Sequence, residues 1–269
     1  MSDTRIYNIG NLVSWDTTNN SLSIKQEQEI YINNSKIVNI SESVQSASNE
    51  IDAKGALVTP GFIDSHTHPI FFGNRSKEIG WKLSGKSYKD IADLGGGILS
   101  SVNALRNSSE DDLYEYCMNH TLDFLSYGTT TLEAKSGYGL TLNDEIKSLR
   151  VIRRLNENIP INIIPTFLGA HDIPKEFKGD VDGYVEVICK EMIPVIAEDN
   201  LATFCDVFCE EGFFNVKQSR RILESAIDYN IKPRLHADEF VDSGGAELAA
   251  DIGACSADHL MSTSQKGIE

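Results

Sequence analysis

The chain has 269 residues, 41% of them hydrophobic, and a formal net charge of −16, which allows one large domain or one large and one small. So negative a balance argues against nucleic acid or an anionic membrane as a partner, because either would be repelled. No apolar run approaches membrane-spanning length, and Met1-Ser2-Asp3-Thr4-Arg5 lacks a basic-then-apolar secretion signal.

In chain order, the first fifty-odd residues read as short strands, Arg5–Ile9, Asn11–Trp15, Glu29–Ile32 and Lys36–Ile40, broken by Asn- and Ser-rich turns. This predicts a small β-sandwich domain over residues 1–59 with little room for a site. From residue 60 the pattern becomes strand, loop, helix, repeated. Strands are expected at Gly61–His66, Thr129–Ala134, Ile161–Leu168, Thr203–Cys209, Pro233–His236 and Ser256–Leu260. Between them, Ser109-Glu110-Asp111-Asp112 resembles a capping box and opens a helix, and Thr141–Asp144 opens another. Val216–Tyr229 and Gly244–Asp251 also read as helical. Alternation of this kind specifies a parallel α/β sheet or barrel. A doubly wound sheet would carry a Gly-rich phosphate turn after its first strand, but here that turn carries histidines. The fold expected is a TIM-like (β/α)8 barrel over residues 60–269, with about six of its eight strands present. Five cysteines, an odd number set in apolar segments, suit reduced thiols and a cytoplasmic location. Cys205 and Cys209, four apart in a strand-like run, read as core.

The histidines carry the chemistry. His66-Thr67-His68 follows the apolar run Leu57–Asp64. Residues two apart on a strand share a face, so two imidazoles there converge, and imidazole is a common ligand for zinc, iron or nickel. His171, His236 and His259 fall at the ends of later strands. In a barrel all five meet at the C-terminal rim, where catalytic groups sit. His120 alone lies on the apolar side of a helix and reads as a packed histidine. His66, His68 and His236 supply three ligands to one metal ion, which would lower the pKa of a coordinated water to about 7 if it were zinc. Glu239, three residues past His236, is suited to take a proton from that water and pass it to a leaving nitrogen. His259 could orient the water or stabilise a developing oxyanion.

Together, His66–Arg75, Lys135-Ser136-Gly137-Tyr138-Gly139-Leu140, Gly169-Ala170-His171-Asp172 and His236-Ala237-Asp238-Glu239 resemble the imidazolonepropionase family of the amidohydrolase superfamily, over nearly the whole chain. The resemblance implies hydrolysis of 4-imidazolone-5-propanoate to N-formimidoyl-L-glutamate in histidine degradation, with one zinc or iron ion and a possible homodimer. It implies His66, His68 and His236 as metal ligands, Glu239 and His259 as catalytic residues, and Arg75, Tyr138, His171 and Glu239 at the substrate. An Arg fork suits the substrate's propionate. Arg75 could instead pair with Glu78 three residues on, and Tyr138 could be a packing residue in a turn. The carboxylated lysine that bridges two metals in some amidohydrolases lies on strand four. Lys135 follows strand two, so a single metal is expected. The family's fourth ligand, an aspartate after strand eight, has no counterpart in these residues.

Two other readings remain open. One keeps the metal but deaminates a purine- or pyrimidine-like ring, which would leave Arg75 without a carboxylate to bind. The other is an inactive fragment, since six strands of an open barrel leave edges unpaired.

Overall fold

The computed structural model describes residues 3–87, 90–91 and 94–269, in two compact units, Met1–Phe62 and Ile63–Glu269.

The first unit holds β1 (Thr4–Tyr7), β2 (Asn11–Asp16), β3 (Ser21–Lys25), β4 (Glu29–Asn33), β5 (Lys36–Ser41), β6 (Asn49–Asp52) and β7 (Leu57–Val58). They form a four-stranded sheet, β5-β4-β1-β6, and a three-stranded one, β3-β2-β7. Alternation supplies a small core of Ile9, Leu12 and Ile30, with Ile6, Ile32 and Val58 against it. The Asn-rich turns have a backbone reason: Asn20 and Asn34 adopt φ of 50°, which asparagine tolerates better than most residues. Strands β3, β6 and β7 were not expected, being short and polar or, for β7, hidden in a longer apolar run.

Leu57–Asp64 does not lead into one buried strand. Thr59-Pro60-Gly61 breaks it, so Leu57–Val58 pairs with β2 and a separate β8 (Phe62–Asp64) enters the second unit's sheet. The break fits proline's missing N–H. Strand β8 lies at the edge of that sheet, and Phe62 and Ile63 are 57% and 74% exposed. His66 and His68 lie in the loop beyond it, not on the strand.

The second unit is built on six strands in consecutive order: β8, β9 (Thr129–Lys135), β10 (Asn162–Ala170), β11 (Phe204–Cys209), β12 (Lys232–Ala237) and β13 (Ala257–His259). From β9 to β13 each pairs parallel with the next. Consecutive parallel order with intervening helices is the arrangement of a (β/α)8 barrel opened to six strands. Helices α1 (Lys77–Leu83) and α2 (Ile98–Asn107) follow β8, and α3 (Glu110–Ser126) leads to β9. After these come α4 (Leu142–Asn158), α5 (Val181–Val187), a π-turn at Ile188–Met192, α6 (Ile193–Glu198), α7 (Val216–Asp228), α8 (Gly245–Asp251) and α9 (Gln265–Ile268).

The expected caps hold: Ser109 and Thr141 accept from the backbone nitrogens of Asp112 and Asp144. The full capping box, however, is Asn215 with Gln218 at the start of α7. The core packs Leu132, Ile163, Phe167, Val207 and Leu235 of the strands against Leu113, Leu149, Ile152 and Leu223 of the helices. Each such side chain contributes about 1.5–3 kcal/mol by leaving water. Cys205 and Cys209 are buried and unpaired, and His120 packs between Phe71 and Tyr116. Among the described residues no helix is long and apolar enough to cross a membrane.

Candidate metal centre

The chain brings its five non-helical histidines together although up to 193 residues separate them in sequence. The His66 ring lies 4.6 Å from that of His236, 5.3 Å from His68 and 4.9 Å from His259, and His68 stacks on His171 at 5.0 Å. Two hydrogen bonds hold the loop that delivers the first pair. The Thr67 hydroxyl donates to the backbone carbonyl of Glu133, and the Lys135 backbone N–H donates to the Thr67 carbonyl at 3.2 Å. The rings border a cavity of about 390 Å3 whose lining includes Arg75, Glu239, Phe208 and Phe240. Tyr138 packs beside it, 5.3 Å from the His171 ring and 6.2 Å from His68.

His66, His68 and His236 each offer a ring nitrogen, and these atoms all lie within 4.8 Å of one another. Nε2 of His68 is 3.2 Å from Nε2 of His236; two nitrogens on one tetrahedral zinc ion stand about 3.4 Å apart. The other ring nitrogens are committed elsewhere. Nδ1 of His236 is 3.0 Å from Asp206 Oδ1, and Nδ1 of His66 is 2.8 Å from Asp258 Oδ2. A carboxylate accepts, so each Nδ1 carries the proton and each Nε2 presents a lone pair. His68 Nδ1 is buried with no hydrogen-bond partner among the described residues. Burial, then the charges of His171 and His236, hold His68 well below the usual histidine range, and burial lowers His171 to about 4. Neutral imidazoles are the form a cation needs. The donor set therefore fits a divalent ion.

Residue-by-residue reading of the sequence missed the carboxylates behind these rings. Asp206, buried, and Asp258, half-buried, belong to a charged network with the buried Glu133, Lys135 and Arg234. Lys135 Nζ, fully buried, is 2.6 Å from Asp206, 2.9 Å from Glu133 and 3.7 Å from Asp258. Arg234 donates to Glu133 at 2.7 Å. Burial pushes Asp206 up, but His236 and Lys135 override it and hold its carboxyl well below the usual range. Burial would likewise lower Lys135, and Asp206 and Glu133 reverse that, raising it. The available signal was charge at alternate strand positions: Glu133 and Lys135 on β9, Arg234 and His236 on β12. Two ionisable side chains on one inward face of a buried strand are costly without a purpose.

Two further buried carboxylates shape the loops. Glu145 accepts from the backbone nitrogens of Gly137, Gly139 and Leu140 at 2.8–3.1 Å, so the Tyr138 loop wraps around an internal carboxyl group, whose pKa burial raises. Gly137 has φ of 104°, and a Cβ on Gly139 would stand 2.6 Å from the Asp144 backbone, so neither position admits a side chain. The Gly137 carbonyl faces His171 Nδ1 at 2.9 Å, which makes that nitrogen the protonated one and leaves Nε2 an acceptor. Glu210 accepts from the backbone of Glu239 at 2.8 Å and Phe240 at 3.0 Å. Glu239 Oε2 lies 3.7 Å from His259 Nε2. His259 and Leu260 hold φ of 76° and 55°, strain of the kind that collects at functional sites.

Arg75 borders the cavity, and it also makes the pair that its sequence context allowed. Nε and Nη2 donate to the two oxygens of Glu78, each at 2.7 Å. Glu78 in turn accepts from Gly97 N at 2.8 Å.

Six parallel strands with intervening helices, and histidines that meet at one rim, have the architecture of the amidohydrolase class, and the Amidohydrolase family profile matches residues 49–93. N-isopropylammelide isopropylaminohydrolase from Burkholderia multivorans shares the fold, with a TM-score of 0.63 at 17% identity, over 94% of this chain and 59% of that one. Sequence is more specific. The imidazolonepropionase of Thermoanaerobacter pseudethanolicus is 49% identical over all of this chain and 67% of its own length. That of Shouchella clausii is 51% identical over 81% of this chain and 49% of its own. The chain belongs to the imidazolonepropionase family, and spans about half to two thirds of the length of these relatives.

Proposed function

We propose that the site hydrolyses the cyclic amide 4-imidazolone-5-propanoate to N-formimidoyl-L-glutamate, with one zinc or iron ion held by His66, His68 and His236. The observation that carries this reading is the meeting of three inward-facing imidazoles with Glu239 and Arg75 around one cavity. A divalent ion there would acidify water and polarise the ring carbonyl.

The chain's own groups do the rest. Glu239, held by Glu210 through its backbone, takes a proton from the attacking water and delivers it to the ring nitrogen as the C–N bond breaks. His259, 3.7 Å from that carboxylate, stands beside the oxygen on which charge develops. His171, protonated at Nδ1 by the Gly137 contact, offers Nε2 as an acceptor to a ring N–H. Arg75 faces the propionate, with Glu78 holding its guanidinium in plane, and Tyr138 adds a hydroxyl. Phe208, buried, and Phe240, exposed, add apolar lining to the cavity.

The test is turnover. Loss of imidazolonepropionate absorbance in the presence of the metal-loaded protein supports the assignment. Ammonia release from cytosine- or purine-type rings, with none of that loss, would replace it with a deaminase.

A further inference from the structure

The histidine triad is not the only group of donors close enough to hold a cation. His66, Glu133 and Asp258 also place their ligand atoms within 4.8 Å of one another. Two adjacent donor sets sharing His66 are what a pair of metal ions would need. The second set, however, already has a positive group in it. Lys135 extends from β9 with its side chain fully buried, and its ammonium is 2.9 Å from Glu133 and 3.7 Å from Asp258. It also reaches Asp206 at 2.6 Å.

We infer that the Lys135 ammonium stands in for a second metal ion and limits this centre to one; the inference rests on the metal reading of His66, His68 and His236. The charges support the substitution. Glu133, Asp206 and Asp258 bring three negative charges to the network, and Lys135 and Arg234 bring two positive ones. One divalent ion at the triad then faces a network with a single excess negative charge. Without Lys135 the excess becomes two, which a second divalent ion would neutralise. Unpaired buried carboxylates are strongly unfavourable, so the vacated position would attract a cation.

The placement also explains why a lysine sits there. Asp206 and Asp258 each fix one histidine, at His236 Nδ1 and His66 Nδ1, and a single ammonium faces both carboxylates. A monovalent group bonded to the backbone holds them in place without competing for the imidazole lone pairs. A free divalent ion in the same place would draw on His66, which the first ion needs.

Zinc content per folded chain, measured by mass spectrometry after equilibration with zinc and removal of the excess, tests this. The wild type is expected to hold one ion, Lys135→Arg one, and Lys135→Met two. The double variant Lys135→Met/Glu133→Gln, which removes one charge of each sign and one donor, is expected to return to one. Lys135→Met that folds only with two equivalents of zinc supports the inference. Lys135→Met that holds a single ion, or stays unfolded in excess zinc, overturns it, as does a wild type that holds two. Two ions in the double variant would place the extra ion elsewhere and also overturn it. A wild type that binds no zinc would remove the metal reading itself, and the inference with it.

Discussion

Asp206 Oδ1 lies 3.0 Å from Nδ1 of His236 and 3.1 Å from the same residue's backbone nitrogen, so one carboxylate oxygen sets both the ring orientation and the strand position of His236. Replacing it with Asn leaves an acceptor that no longer carries charge. Asp206→Asn should lower metal affinity by roughly 10- to 100-fold, measured by competition with a chromophoric chelator. Unchanged affinity would remove Asp206 from the support of the site.

Glu239 is separable from metal binding. Glu239→Gln should keep the metal content of the wild type and lower kcat by about 100- to 10,000-fold. His236→Ala should lose the metal itself. Wild-type kinetics in Glu239→Gln would take this residue out of the proton transfer.

Much of this arrangement was legible in the sequence, and the reason is chemical. Histidine is scarce in this chain, with six in 269 residues, so five of them at strand ends stand out against an apolar background. Strand and helix periodicity placed β9 through β13 and the caps at Ser109 and Thr141. Three features were not legible. The break at Thr59-Pro60-Gly61 was hidden because apolar residues continue on both sides of it. Asp258 was overlooked beside His259, although it is what holds His66. Glu145 and Glu210 were unreadable because each acts on backbone groups of a distant loop, which leave no mark on residue type except at Gly137 and Gly139.

The Tyr138 loop depends on the buried Glu145 carboxyl group. Glu145→Ala leaves three buried N–H groups without their acceptor and should cost about 3 kcal/mol or more. Gly139→Ala should also destabilise, because its Cβ meets the Asp144 backbone at 2.6 Å. Thermal denaturation with KM measured alongside checks both. A normal melting temperature in Glu145→Ala would contradict the wrapped-loop description.

His171 predicts the pH dependence of the metal-free protein. Its pKa falls from an ordinary 6.5 to about 4 in the fold, chiefly by burial. Between these values the unfolded chain binds a proton that the folded chain does not, so stability rises with pH across this window and is lost as pH falls through it. The difference is worth about 3 kcal/mol. His171→Phe should make the stability curve shallower between pH 4 and 6.5, measured by urea denaturation with chelator present, and leave the part that His68, also lowered by burial, contributes. An equally steep curve in the variant would assign the effect to another group.

Arg75 pairs with Glu78 and also borders the cavity. Arg75→Ala should raise KM for the propionate-bearing substrate by about 10- to 100-fold, in line with loss of a charged contact, and should lower stability because Glu78, 5% exposed, loses its guanidinium. Glu78→Gln separates these: it loosens the guanidinium without removing it, so its KM should rise less. Equal KM values in Arg75→Ala and wild type would take Arg75 out of substrate binding.

The most direct test of the central claim is imidazolonepropionate turnover before and after the metal is stripped and restored. Negligible activity is expected in the stripped protein and full recovery at one equivalent of zinc or iron, with no recovery in His236→Ala. Undiminished turnover in metal-free protein would contradict it.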